Sequence, residues 1–195
     1  MLKRICMLFF MMFMMVPPVM SAQNPVETVK IHIDKVLAVL KDPALAGGPG
    51  KQTKIEKISE ITEGIFDFTE LSKRSLGKAW SQFTPEQQTE FVSLYKKLLK
   101  NTYADRIVSY NNEKILFGKE NPLSGATTEV QTTIGTKTGD VPINYRMINK
   151  NGQWRVYDVV IEGVSLINNY RTQFRGILAN NTPEGLIEIL KKKVE

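Results

Sequence analysis

The chain of 195 residues contains one cysteine, Cys6, and one histidine, His32. Cys6 falls in a stretch where Lys3 and Arg4 precede a run of Met, Phe, Leu and Val from Ile5 to Met20, with the small residues Ser21 and Ala22 after it. This arrangement predicts a secretory signal peptide over residues 1–22, which leaves residues 23–195 as a single domain. At about sixteen residues, broken by Pro17-Pro18, the apolar run is short of the roughly 20 that a spanning helix needs. No apolar run precedes Cys6, so it is not placed as the lipidated residue of an anchored lipoprotein. The mature chain then has no thiol, which excludes disulfides, thiolate metal sites and a cysteine nucleophile. An exported domain of this length can fold on its hydrophobic core alone.

Catalytic signatures are equally scarce. There is no HExxH pair, no Walker loop and no glycine fingerprint for a dinucleotide. Gly47-Gly48-Pro49-Gly50 lacks the Lys-Ser/Thr pair of a phosphate loop and follows a helical pattern, so it reads as an interhelical loop. His32 has no partner in the sequence that would make it a general base. Neither enzymatic activity nor a metal or cofactor is expected. Charge is modest too: the formal +6 becomes +4 once Lys3 and Arg4 are removed. The one basic cluster, Lys191-Lys192-Lys193, suits a helix C-terminus, and no basic stripe with interleaved aromatics marks a nucleic-acid surface.

What is present is a clear alternation of periods. Val29, Ile33, Val36, Leu37 and Leu40 keep helical spacing, as do Ile55, Ile58, Ile61 and Ile65. Asp67 and Glu70 have capping-box spacing before Leu71, Leu76 and a closing Gly77. Thr84-Pro85-Glu86-Gln87 starts a long helix whose apolar face runs from Phe91 to Tyr110. After Asn111-Asn112 the period changes to two. Lys114 to Phe117, Glu129 to Ile134 and Val141 to Met147 read as strands, with hairpin turns at Gly139-Asp140 and Asn149 to Gly152. The fold class is therefore α+β: four helices, an antiparallel sheet of four strands and two closing helices, with the helices packed on one face of the sheet.

The stretch from Trp154 to Arg175 joins the two periods. Trp154, Val156 and Val160 alternate on one strand face, Gly163 breaks the strand, and Ser165 is the N-cap expected for a helix carrying Ile167, Tyr170, Phe174 and Leu178. Asp158 shares the face of Val156, and Arg171 falls on the apolar stripe of the helix, so an Asp158–Arg171 ion pair is expected rather than acid-base chemistry. Ser165 lacks both the glycine elbow of a hydrolase and a following histidine.

WRVYDVVIEGVSLINNYRTQF resembles the signature of the periplasmic phospholipid-binding proteins of the maintenance-of-lipid-asymmetry pathway, the MlaC or toluene-tolerance auxiliary family. FDFTELSKRSLGKAW from Phe66 to Trp80, FTPEQQTEF from Phe83 to Phe91, LLKNTY from Leu98 to Tyr103 and NYR from Asn169 to Arg171 follow in the family's order. The loop from Ala44 to Lys51 departs from the pattern. The resemblance implies a nuclear-transport-factor-2-like cone, with helices curled on an antiparallel sheet around a deep apolar cavity. It also implies a soluble periplasmic carrier of glycerophospholipid, meeting an outer-membrane lipoprotein-porin complex and an inner-membrane ABC transporter complex. A shuttle between two membranes is most simply a monomer.

Exposing roughly thirty methylenes at about 0.8 kcal/mol each would cost on the order of 20 kcal/mol, so a carrier has to enclose the acyl chains. The membrane buries them as well, so transfer is near balance and direction comes from the partners. The chains are expected between a sheet face bearing Ile143, Tyr145, Met147, Val156 and Val160 and helices bearing Leu98, Leu99, Ile167, Tyr170 and Phe174. Arg171 is the candidate contact for a headgroup phosphate. The same side chains would also serve to fill a core, and a periplasmic adaptor with a filled core is the alternative. A third reading is an esterase or isomerase using an aspartate in place of the missing histidine.

Overall fold

Among the described residues, five of the six α-helices start on a side chain that accepts from an amide the helix leaves unpaired. The computed structural model describes residues 24–110, 112–137 and 139–195; the expected signal peptide with Cys6, and Asn111, lie outside these residues. Asn24 caps α1 (Pro25–Lys41), Asp67 caps α3 (Phe68–Leu76), and Thr84 caps α4 (Pro85–Val108), where Gln87 reaches back to complete a capping box. Ser165 and Thr182 cap α5 (Leu166–Leu178) and α6 (Pro183–Val194). At 24 residues, α4 is the longest of these helices, close to 36 Å at about 1.5 Å per residue.

The start of α2 (Gly48–Ile65) differs from the expected loop. Gly48, Pro49 and Gly50 form its first turn, where a proline costs no intrahelical bond. Gly50 is required by packing: a Cβ there would lie 2.2 Å from the carbonyl oxygen of Leu45, in the short 3-10 turn Pro43–Leu45 that links α1 to α2.

The antiparallel sheet runs in sequence order through β1 (Lys114–Pro122), β2 (Thr127–Thr136), β3 (Gly139–Lys150), β4 (Gln153–Ile161) and β5 (Val164–Ser165). It has one strand more than the sequence pattern predicts. Glu162 and Gly163 both take positive φ, 49° and 81°, and this tight reversal folds Val164-Ser165 back onto Val160-Ile161. Asn151 and Gly152, at φ 54° and 82°, make the β3–β4 hairpin in the same way. Gly139 and Asp140 open β3 instead of forming the turn before it, since Thr136 already pairs with Gly139.

A bulge in β4 decides which side chains face inward. Met147 pairs with Val156 and Arg146 with Asp158, so Tyr157 is an extra residue without its own partner on β3. The alternation inverts there. Val156 shares its face with Val159 and Ile161, opposite Met147, Tyr145 and Ile143, and Val160 is carried to the other face opposite Asn144.

Two clusters form the core. One joins α3, α4, α5 and α6 through Leu71, Phe91, Tyr95, Tyr170, Phe174, Leu186 and Leu190. Edge-to-face contacts at 5.3, 5.0 and 5.1 Å link Phe91 to Phe174, Tyr95 to Tyr170 and Tyr95 to Phe174. The other lies between the sheet and the α1–α2 pair, and holds Val29, Ile65, Val130, Met147, Val156, Val159 and Leu166. The Asp67 amide donates to the Val156 carbonyl at 2.8 Å, fastening the α2–α3 junction to β4.

Candidate functional site

The second cluster does not fill the space between helices and sheet. A cavity of about 620 Å³ remains there, walled by α1 (Val29, Ile33, Val36, Leu37, Leu40), α2 (Ile55, Ile58, Ile61, Ile65) and the second half of α4 (Leu99, Tyr103, Ile107). Ile134, Val141, Ile143, Tyr145, Val159 and Ile161 supply its sheet wall, and Leu166 joins them. Val29 is buried, yet Ile33, Val36, Leu37 and Leu40 are only half-buried. The apolar stripe of α1 thus faces empty space over most of its length. An apolar enclosure of this size with few polar groups suits a hydrophobic ligand.

Of the residues proposed from sequence, Leu99, Ile143 and Tyr145 line this cavity. Met147 and Val156, fully buried, belong to the packed cluster with Val29, Val159 and Leu166. Leu98, Ile167, Tyr170 and Phe174 pack in or against the other core, among α3 to α6. Val160 faces away because of the Tyr157 bulge, and Val159 and Ile161 stand in the wall instead. The α1 and α2 wall residues are additional to those expected from the sequence. The available signal was two consecutive helices with long apolar stripes that had to face something.

Arg171 does not reach Asp158. Its Nε and Nη2 donate to the Arg74 carbonyl at the end of α3, and its Nη1 donates to Asn168 Oδ1 at 3.3 Å. Asp158 is satisfied by Arg146 at 3.3 Å, the Ser165 hydroxyl at 2.6 Å and the Ile167 amide at 3.1 Å. The expected ion pair is replaced because the bulge turns Asp158 toward Arg146 on the neighbouring strand. Ser165 also accepts from the Asn168 amide, so its hydroxyl serves the helix start. Asp67 and Glu70 both contact Lys150, at 2.6 and 3.4 Å.

Polar groups do edge the cavity. Lys96 is paired with Glu63 at 2.6 Å, while Lys100 and Arg106 have no acidic partner among the described residues. His32 donates from Nδ1 to the Thr28 carbonyl at 2.8 Å. Tyr145, in the middle of the sheet wall, has its phenol pushed up to about 12 by burial. Among the described residues no group of acids, histidines or cysteines could hold a metal ion, and no helix is long and apolar enough to cross a membrane.

The profile described as "MlaC protein" matches residues 30–192. The chain belongs to the MlaC family. The matched span contains the cavity lining from His32 on α1 to Leu166; Val29 alone precedes it. Among characterised MlaC relatives, toluene tolerance protein ttg2D of Pseudomonas putida is 24% identical over 163 residues, 83% of this chain and 76% of its own. The intermembrane phospholipid transport system binding protein MlaC of Haemophilus influenzae is 30% identical over 117 residues, 57% of this chain and 55% of its own. A phospholipid-binding protein from Ralstonia solanacearum, solved in complex with a phospholipid, superposes with a TM-score of 0.78 at 27% identity. That superposition covers 88% of this chain and 97% of the other. The MlaC fold here is therefore the expected α+β arrangement, with the short β5 as the addition.

Proposed function

We propose that this MlaC protein is a periplasmic phospholipid carrier that encloses acyl chains in the cavity between α1, α2, α4 and the sheet. The observation that carries this reading is an apolar cavity of about 620 Å³ whose lining, Val29 apart, lies inside the span matched by the family. The solved phospholipid complex of the Ralstonia solanacearum protein supports it. Half-buried isoleucines and leucines on α1 and α2 lose their exposure when acyl methylenes fill the space, at about 0.8 kcal/mol for each methylene withdrawn from water. The wall residues proposed for the chains are Ile33, Leu37, Ile58, Leu99, Ile143, Val159 and Ile161. Lys100 and Arg106 take the place of Arg171 as the headgroup contacts, because they line the cavity and have no acidic partner among the described residues.

In this reading residues 1–22 direct export and are removed, and residues 23–195 act as one soluble domain. The cargo is released chemically unchanged. Delivery to an inner-membrane ABC transporter complex and collection from an outer-membrane lipoprotein-porin complex then require only differential affinity among the partners. The test is organic extraction of protein purified from a lipid-replete bacterial periplasm, followed by mass spectrometry. Near-stoichiometric glycerophospholipid is the expected result. A lipid-free extract would overturn the carrier in favour of an adaptor with an unused cavity.

A further inference from the structure

Among the described residues, the sheet wall of the cavity carries one hydroxyl without a hydrogen-bond partner in the protein. On the face that bears Val130, Ile143 and Val159, Thr132 Oγ1 donates to the Ile143 carbonyl at 2.6 Å. Thr128 Oγ1 is held by Glu120 Oε1 at 3.0 Å and by the Asn121 carbonyl at 3.1 Å, and Thr136 Oγ1 donates to the Gly139 carbonyl at 2.7 Å. Tyr145 stands on the same face, paired across the sheet with Val130 on one side and Val159 on the other, both buried and apolar. Its side chain lines the cavity, and its hydroxyl has no hydrogen-bond partner among the described residues, yet it is not sealed into the core.

Water can satisfy such a hydroxyl while the cavity is empty. Hydrocarbon that fills the cavity displaces the water and leaves the donor unpaired, a loss of about tenfold in affinity for a buried polar group. A ligand that presents an acceptor at that point avoids the loss, and a site built around a donor rejects analogues that lack the acceptor. Burial holds the phenol in its protonated form at ordinary pH, so it offers an O–H.

We infer that the Tyr145 hydroxyl donates a hydrogen bond to an acyl carbonyl oxygen of the bound ligand, so that the cavity selects carbonyl-bearing acyl lipids over alkyl chains of equal length. This inference rests on the carrier reading above. Two sources offer that carbonyl: the ester of a diacyl phospholipid and the carboxyl of a free fatty acid.

Affinities of the delipidated protein can be compared by displacement of a pyrene-labelled phospholipid with dioleoyl phosphatidylcholine, its dialkyl ether analogue and oleic acid. With the ester as acceptor, the wild type prefers the diester to the diether by about tenfold, and Tyr145→Phe binds both alike. With a free carboxyl as acceptor, diester and diether compete equally and oleic acid weakens by about tenfold in Tyr145→Phe. Tyr95→Phe, which removes a hydroxyl that is bonded to Ser75 at 3.2 Å and does not line the cavity, keeps the wild-type ranking, and circular dichroism verifies that both variants are folded. An identical ranking of the three ligands in wild type and Tyr145→Phe overturns the assignment while leaving the carrier intact. Failure of the wild type to bind any of the three overturns the carrier reading together with it.

Discussion

Arg171 grips the backbone carbonyl of Arg74 through two guanidinium nitrogens, Nε at 3.0 Å and Nη2 at 2.7 Å. The contact closes the C-terminal end of α3, where carbonyls lack helical partners and a cation is favoured by the helix dipole. Arg171→Ala should lower stability by about 1 kcal/mol, a Tm loss of roughly 2–4 °C for a domain of this size. Arg171→Lys should recover only part of this, because an ammonium cannot reproduce the fork. Lipid content after purification should be the same in all three proteins; a selective loss of lipid in Arg171→Ala would return this residue to the headgroup site.

The Tyr157 bulge supplies a matched pair of substitutions. Ile143 lies in the cavity wall and Val160 on the opposite face of the sheet. Ile143→Trp should reduce bound lipid, measured by extraction against protein concentration, with the fold retained. Val160→Trp should overpack a buried site at a cost of about 1–3 kcal/mol and leave the lipid of the surviving folded protein unchanged. Equal lipid loss in both would contradict the inverted alternation.

The Lys150 contacts predict a pH window. Burial pulls the Asp67 carboxyl up, but the hydrogen bond from Lys150, the Glu70 amide and the charges of Lys150 and Arg155 outweigh it and hold its pKa below the ordinary 3.8. Glu70 is likewise raised by burial and brought below 4.5 by the Arg74 hydrogen bond and the charges of Arg74 and Lys150. Lys150 is raised above 10.5, chiefly by its hydrogen bond to Asp67. The carboxylates' contribution is complete above their unfolded values and disappears as pH falls through the lowered folded ones. The Lys150 contribution is complete below 10.5 and disappears as pH rises through its raised value. Lys150→Met should therefore be less stable than wild type between about pH 5 and 10, by about 0.5 kcal/mol after solvent screening of a half-exposed ammonium. The two denaturation curves should converge as pH falls through the lowered carboxylate values.

Gly50 marks the sharpest steric limit on the α1–α2 link. Its Cβ position lies 2.2 Å from the Leu45 oxygen, and that oxygen belongs to backbone. Gly50→Ala should cost about 1–3 kcal/mol although alanine is the better helix former, whereas Gly176→Ala, on α5 with open space at the Cβ, should be neutral or stabilising by about 0.5–1 kcal/mol. Chemical denaturation of the two variants tests the contrast.

The parts of this fold that depend on neighbouring residues in the chain were readable from sequence. The caps at Asp67, Thr84, Ser165 and Thr182 each need only a hydroxyl or carboxylate within three residues of an amide. The apolar stripes on α1, α2 and α4 follow from helical period. What depended on counting residues across a strand pair was not readable. The extra residue at Tyr157 shows only when β3 is laid beside β4, and it moved Val160 out of the wall and Asp158 to Arg146. Core and cavity were indistinguishable for a related reason: Phe174 and Ile143 are both apolar residues at regular spacing, and only the packing of six helices decides which has neighbours on every side. The signal that bore on the cavity was the pair of long apolar stripes on α1 and α2, of which Ile33, Val36, Leu37, Leu40, Ile55 and Ile61 stay half-buried.

The interlocked rings of Phe91, Tyr95, Tyr170 and Phe174 have a consequence for the life of the empty protein. All four pack against one another, and none of them lines the cavity, although Leu99 of the same core does. In the proposed carrier, α4 and α5 would keep their mutual anchorage whether the cavity is filled or empty. Hydrogen exchange should register this as a division of labour: amides of α4 and α5 beside the four rings indifferent to cargo, and those of α1 slowed when cargo arrives.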